Sequence, residues 1–347
     1  MDGAARYHAW SLPDRQGGDD SMADKHAGAN SFGAGIDDAL AGRLHSTIRA
    51  LGVERARELA GTAEDRRCVE AAHLVLADDA LEAGFVHAGF AITALPHRRT
   101  AETLWRREAP GLVLSIESGR EPSGEPVGIP YGSVARMILL YLQTEAVRTQ
   151  SREVELGRSL NAWLGEMGVS NGGGGYRLVR EQSRRLSMCR LTFYQSGGGD
   201  ALRVDNGGFV RSAIVPLTAR DAGSQLPLWR ESVILDEAFY ASLLAHPLPV
   251  REAAIRGISG RSMALDLYVW LAYRLHVLTA PRPISWAALF GQFGAGFRRM
   301  SHFREHLREP LALALAAYPE AKVDVSEKGI VLHPSPPPVP ERRIGRH

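Results

Sequence analysis

Two stretches of this chain follow one plan, and that repetition limits the folds open to it. In Arg158 to Gln195 a short helix, a glycine turn, a basic helix and a strand-like segment succeed one another. Leu160, Trp163, Leu164 and Met167 recur at spacings of three, one and three, so they share one face of a helix that stops before Gly168. Glycine fits the left-handed residue that follows a helix end. Beyond the Asn171 to Gly175 segment, Leu178, Val179, Leu186 and Cys189 are set to face inward, and Arg177, Arg180, Arg184 and Arg185 outward. Leu191 to Gln195 is strand-like in residue type. Tyr176 to Arg190 holds five Arg against one Glu. That face is one-signed, whereas an ordinary solvated helix mixes its charges.

The same order recurs downstream. Ser262 to Leu278 reads as a long helix burying Met263, Leu267, Trp270, Leu271 and Leu278, stopped by Pro281 and Pro283. Ser285 suits the N-cap of a helix over Trp286 to Phe293, ended by Gly294. Phe297, Met300, Phe303, Leu307 and Leu311 mark the inner side of a second helix, while Arg298, Arg299, His302 and Arg308 decorate it. Lys322 to Val325 and Ile330 to His333 predict a hairpin around Ser326 to Gly329. In the first copy the leading helix is Ser133 to Val147, burying Val134, Met137, Ile138, Tyr141 and Leu142. Glu153 to Leu156 is a short extended piece. The hairpin strands there are expected to be Leu191 to Gln195 and Phe209 to Leu217, joined through Gly197 to Gly208. This is the plan of a winged helix-turn-helix. One copy is weak evidence, but two copies in one order agree at several levels at once.

The expected fold is therefore α+β and mainly helical, with tandem winged helix-turn-helix domains, a small α/β N-terminal region and disordered termini. Residues 1–35 carry no hydrophobic period and read as a disordered leader, in which Met22 is an alternative start. Residues 36–118 read as helices with short strands, with Leu40, Leu44, Ile48 and Leu51, then Val69, Ala72 and Leu76, at helical intervals. Phe85 to Leu95 and Leu112 to Ile116 are the strand-like parts. Gly119 to Pro130 is a turn-rich linker, followed by winged-helix domains over 128–220 and 228–334. Residues 335–347 form a Pro-rich basic tail, expected to be extended and mobile.

Composition narrows the function. The formal net charge is +2, so any nucleic-acid footprint is local rather than spread over the molecule. Cys68 and Cys189 make neither a disulfide framework nor a zinc-ligand spacing, and a reducing cytoplasm is the expected location. No secretory signal and no bilayer-length apolar run is legible. No phosphate-binding loop of the GxxxxGK[ST] kind is present, so unwinding would fall to another protein. The expectation is a protein that is not an enzyme and carries no cofactor or metal. One enzymatic motif competes: HFREH, His302 to His306, matches inverted zinc peptidases. Against it, Phe303 and Leu307 belong to a core stripe and Arg298, Arg299 and Arg304 would repel a cation.

Several blocks in order resemble the plasmid-encoded RepA family of replication initiators: GIPYGSVAR (Gly128 to Arg136), TEAVRTQSREVELGRSLNAWL (Thr144 to Leu164), LDLYVWLAYRL (Leu265 to Leu275), ISWAALFGQFG (Ile284 to Gly294) and AYPEAKVDVSEKGIVLHPSPP (Ala317 to Pro337). ALPHRR (Ala94 to Arg99) is similar as well. The resemblance implies sequence-specific binding to double-stranded origin DNA, usually at direct repeats. It also implies recruitment of host replication proteins such as a helicase or its loader, with homodimers repressing the initiator's own gene. A transcriptional regulator with the same winged helices is the alternative.

The base-reading residues come from the residue pattern instead. They are Arg177, Arg180, Gln182, Arg184 and Arg185 in the first copy, and Arg298, Arg299, Ser301, His302 and Arg308 in the second. Arg136, Arg148, Arg152 and the helix start at Gly175 are candidate phosphate contacts.

Overall fold

The computed structural model describes residues 35–109, 111–156, 158–169, 173–196, 202–212 and 232–340. The expected leader, apart from Gly35, and the basic end of the tail lie outside the described residues. Four helices open the fold: α1 (Ile36–Leu40), α2 (Leu44–Leu51), α3 (Val53–Leu59) and α4 (Ala63–Leu76). At the head of α4 the Thr62 hydroxyl accepts from the Asp65 amide while the Asp65 carboxylate accepts from the Thr62 amide, a reciprocal cap. The same carboxylate accepts from the Ile36 amide at 3.0 Å, which ties α1 to α4.

The segment expected to run as a strand from Phe85 to Leu95 is divided. It forms β1 (Ala83–His87) and then one turn of helix, α5 (Gly89–Ile92). His87 makes the break: its Nδ1 accepts from the Gly89 amide at 3.0 Å, and a Cβ at Gly89 would lie 2.8 Å from that ring nitrogen. Two strands follow, β2 (Leu104–Ala109) and β3 (Leu112–Glu117).

The first repeat consists of α6 (Gly132–Thr149), β4 (Glu153–Glu155), α7 (Arg158–Glu166), α8 (Gly173–Met188), β5 (Arg190–Ser196), β6 (Leu202–Gly208), β7 (Val210–Ser212) and β8 (Ser232–Leu235). A connector of α9 (Glu237–Ala245), β9 (Pro247–Arg251) and α10 (Glu252–Ile258) leads to the second. That repeat consists of α11 (Ser262–Leu275), β10 (Arg282–Ser285), α12 (Trp286–Phe293), α13 (Met300–Ala316), β11 (Val323–Ser326) and β12 (Gly329–Leu332). Each repeat ends in a three-stranded antiparallel sheet with its first strand beside its last, β4-β8-β7 and β10-β12-β11. With β5 and β6, which belong to another sheet, set aside, the order helix, strand, helix, helix, strand, strand occurs twice with one sheet topology. Ser285 caps α12 as the sequence predicts, accepting from the Ala288 amide at 3.2 Å.

Three further expectations are corrected. Leu191 to Gln195 does not pair with the segment after Phe209: β5 lies between β3 and β6 in the sheet β2-β3-β5-β6, and β7 pairs with β8. The buried Leu191 and Phe193 continue the apolar face of Leu112, Leu114 and Ile116 on β3. A period-two pattern states which face is buried, but the partner strand is a tertiary matter. Secondly, α11 ends at Leu275, short of the expected Leu278 and well before Pro281, and Arg282–Ser285 beyond it is itself a strand. It lies at the edge of its sheet, where a missing amide is tolerated. Thirdly, the tail is packed against the fold over residues 334–340 rather than free of it. The Ser335 hydroxyl accepts from the Lys322 amide at 3.1 Å, Tyr318 donates to the Pro336 carbonyl at 2.6 Å, and Val339 is buried against Ala83 and Phe85.

The two repeats share one continuous apolar core with the N-terminal helices. β1 and β9 form a two-stranded ladder from Ala83↔Arg251 to His87↔Pro247. Between the leading helices, the Arg136 guanidinium on α6 donates to both carboxylate oxygens of Asp266 on α11, at 2.6 Å each. Its remaining donors reach the Leu95 and Gly132 carbonyls at 2.8 Å. Both side chains are about nine-tenths buried, 10% and 11% exposed.

Asp266→Ala is therefore expected to lower the unfolding free energy by about 3–5 kcal/mol, because it strands a buried guanidinium. Urea denaturation of the variant against the parent measures this.

A second expectation concerns His87, whose Nε2 lies 2.9 Å from the Ser242 hydroxyl and whose ring stacks 5.0 Å from Phe193. Burial, with His246 beside it, holds its pKa down to about 3, so the fold keeps it neutral. An unfolded histidine titrates near 6.5, so the proton favours the unfolded chain. Stability is full above about pH 6.5 and is lost as the pH falls from there toward about 3. At pH 5 this residue alone is expected to remove about 2 kcal/mol, and His87→Gln flattens that part of a stability profile measured by denaturation.

Candidate nucleic-acid interface

Helix α8 begins at Gly173, earlier than the basic run, so Gly175 is its third residue and its amide has no intrahelical partner. Val179, Leu186 and Cys189 are buried, as their spacing predicts. Arg177 is exposed on the outer side, with Tyr176 (40% exposed) beside it. Arg180 and Arg184 occupy the same outer side and are half-buried. Arg184 is engaged by Glu121 from the linker.

Two of the expected groove-facing residues of α8 point inward. Gln182 is fully buried, and its side-chain oxygen accepts from the Tyr131 amide at 2.8 Å. Arg185 is 3% exposed. It donates to the Ile129 carbonyl at 2.8 Å, pairs with Glu181 at 2.9 Å and lies over the Tyr131 ring at 5.2 Å. These contacts fasten α8 to the turn that precedes α6. Gly128 supplies the space: its φ is 95°, and a Cβ there would lie 2.3 Å from the Arg185 guanidinium. The inward turn of Arg185 is set by that chain segment, 56 residues upstream.

On the second repeat, Arg298 and Arg299 are exposed immediately before α13, and Ser301 and His302 are exposed in its first turn. Phe303, Leu307 and Leu311 form the buried side. Arg308 is exposed and held by Asp37 of α1. Arg304, which is not among the expected base-reading residues, is also exposed and lies over the Trp286 ring at 5.1 Å. The signal that identifies it is its place on the helix, one turn from Arg308 on the outer side.

The candidate phosphate contacts divide in the same way. Arg136 is inside, on Asp266. Arg148 donates to the Ala83 carbonyl at 2.9 Å and to Glu252 at 2.7 Å. Arg152 remains partly exposed, 3.3 Å from Glu237. Where a long Arg stem meets unpaired carbonyls at a junction of segments, the guanidinium is drawn inward as a multi-donor clamp.

His302 and His306 of the HFREH motif are both exposed, and the His306 ring packs on Phe297 at 5.3 Å. Among the described residues no group of three His, Cys, Asp or Glu is gathered as a metal site would require. No described helix is long and apolar enough to cross a membrane.

Residues 129–290 match the family model described as "Plasmid encoded RepA protein", the family whose resemblance the sequence carries. The match covers α6 through most of α12 and stops short of α13. No curated protein matches the chain. Among solved structures, the chain is similar to one titled "Crystal structure of SeMet derivatives of domain2 and domain 3 of RctB", with a TM-score of 0.45 and 14% identity over 65% of this chain and 83% of the other. A second, "Crystal structure of the RctB domains 2-3, RctB-155-483", gives 0.44 and 14% over 71% and 94%.

Arg185→Ala is expected to destabilise the fold by about 3 kcal/mol, since it removes a buried multi-donor group and leaves the Ile129 carbonyl unpaired. Gly128→Ala, which forces both a positive φ and a clash with the same guanidinium, is expected to act in the same direction. Thermal unfolding of both variants checks this.

Proposed function

We propose that this chain, which matches the plasmid-encoded RepA family over residues 129–290, is a plasmid replication initiator that binds duplex origin DNA sequence-specifically through two winged helices. The observation that carries the reading is the repeated topology, each copy presenting exposed arginines around the helix before its hairpin. In this reading α8 and α13 enter the major groove. Arg177 and Arg180 on α8, and Arg298, Arg299, Ser301, His302 and Arg308 on or beside α13, meet base edges and phosphates there. Arg184 joins them when it exchanges Glu121 for a phosphate. Gln182 and Arg185 serve the same surface indirectly, by holding α8 in place. Arg152 and the first-turn amides around Gly175 contact the backbone.

Two units on one chain suit successive major-groove faces about 34 Å apart, hence a site near two turns long. Direct repeats at the origin, repression of the protein's own gene by a homodimer, and recruitment of a host helicase or its loader complete the proposal. The cytoplasm is its place of work. The chain acts by binding, without a catalytic residue, cofactor or metal of its own.

The decisive experiment places the gene with its flanking DNA on a replicon that cannot otherwise replicate. Stable maintenance is the expected outcome, and repression without replication would make the protein a regulator instead. At the residue level, Arg177→Ala with Arg180→Ala, and separately Arg298→Ala with Arg299→Ala, are expected to weaken binding to a selected duplex. Each pair is expected to lower the slope of log K against log salt by up to about 2 units where both groups meet phosphate. Anisotropy titrations across a salt series measure it.

A further inference from the structure

Between the loop at residues 97–105 and the flank of α13 lies an open cleft of about 510 Å³. His97, Arg98 and Arg99 line it from the loop, Arg261 from the head of α11, and Phe297 and His306 from the second repeat. Glu102 and Glu309 also line it, but Glu309 is engaged by Arg67 at 3.1 Å and Arg261 at 3.5 Å. His306 follows His302 by one helical turn, so the cleft opens beside the exposed face of α13.

The loop is anchored to both repeats. The Gly132 amide at the head of α6 donates to the Pro96 carbonyl at 2.9 Å, and Arg136 holds the Leu95 carbonyl at 2.8 Å. The His97 Nδ1 lies 3.0 Å from the Ser262 hydroxyl at the head of α11. Tyr131, which precedes Gly132 at the head of α6, is the residue that α8 grips through Gln182 and Arg185. The loop thus meets the head of α6, to which α8 is fastened, on one side and the cleft beside α13 on the other.

The charge on this loop is unusual for a packed segment. Arg98 and Arg99 are exposed, and among the described residues neither side chain enters a hydrogen bond or an ion pair. Burial beside Arg136 holds His97 down to about 4, so at neutral pH the positive charge of the loop is that of the two arginines. A fixed segment that carries two exposed guanidiniums, without an ion-pair partner among the described residues, at the join of two units has a potential suited to an anion.

We infer that Arg98 and Arg99 bind the phosphates of the DNA backbone that runs between the two groove-bound helices, making the loop a third contact point that sets the spacing of the two half-sites. The inference rests on the DNA-binding reading above. Phosphate contacts of this kind fix register and orientation without reading bases.

The test uses the full chain with Arg98→Ala and Arg99→Ala together, on the duplex recovered by selection with the parent protein. Binding is expected to weaken about tenfold or more at physiological salt, and the slope of log K against log salt to fall by about 2 units. Thermal stability is expected to stay at the parent value, because both side chains are exposed and neither has a hydrogen-bond or ion-pair partner among the described residues. Base preference in a repeated selection is expected to be unchanged, while tolerance of altered half-site spacing increases. Arg98→Lys with Arg99→Lys is expected to keep most of the salt slope, since a phosphate accepts either cation. An unchanged slope in the double alanine variant, with the parent still binding, overturns the inference alone. Failure of the parent to bind any duplex overturns the DNA-binding reading, and this inference with it.

Discussion

A bidentate pair between Arg136 and Asp266 sets the geometry on which the rest depends. Each residue is the fifth of the helix that opens its repeat, α6 and α11. Taking both charges out of water is costly, and the cost is offset only because the guanidinium also saturates the Leu95, Pro96 and Gly132 carbonyls. One side chain thereby fixes two helices and the loop between β1 and β2. The relative placement of α8 and α13 follows from that junction, since each packs within the repeat that its leading helix begins.

Two further arginines work alike at other junctions. Arg185 joins α8 to the turn before α6, and Arg251 joins β9 to the end of α4 through Asp78 and the Val75 carbonyl. A planar fork with several donors satisfies carbonyls from separate segments at once, which a lysine ammonium does less well. Among the arginines left outside, Arg98, Arg99, Arg177, Arg298 and Arg299 lie on loops or in the first turns of helices. In a chain of net charge +2 any basic surface is a local matter, and the exposed members of this residue type are its candidates.

The regular parts were legible in advance because their cause is local. Apolar spacing marked α6, α11, α12 and α13, Ser285 marked a cap, and the Lys322 to His333 stretch marked a hairpin that forms as β11 and β12. Strand partnership was not legible, because Leu191 and Phe193 present the same period-two pattern whether they pair with a downstream segment or with β3. Nor was the insertion of β5 and β6 between α8 and β7, which draws the first repeat into a sheet with β2 and β3.

What the sequence determined by itself was the repetition of helical elements: a leading helix, a short helix and a basic helix, twice in one order, within blocks similar to one plasmid initiator family. What only the tertiary structure decided was the direction of individual side chains. Arg184 and Arg185 are adjacent in the chain and identical in chemistry, yet one lies on the outer side and the other is buried beneath Tyr131. The reason is physical: helical periodicity assigns a residue to a face, but a long, flexible, multi-donor side chain goes wherever distant backbone leaves carbonyls to satisfy. That backbone is brought near only when the chain folds.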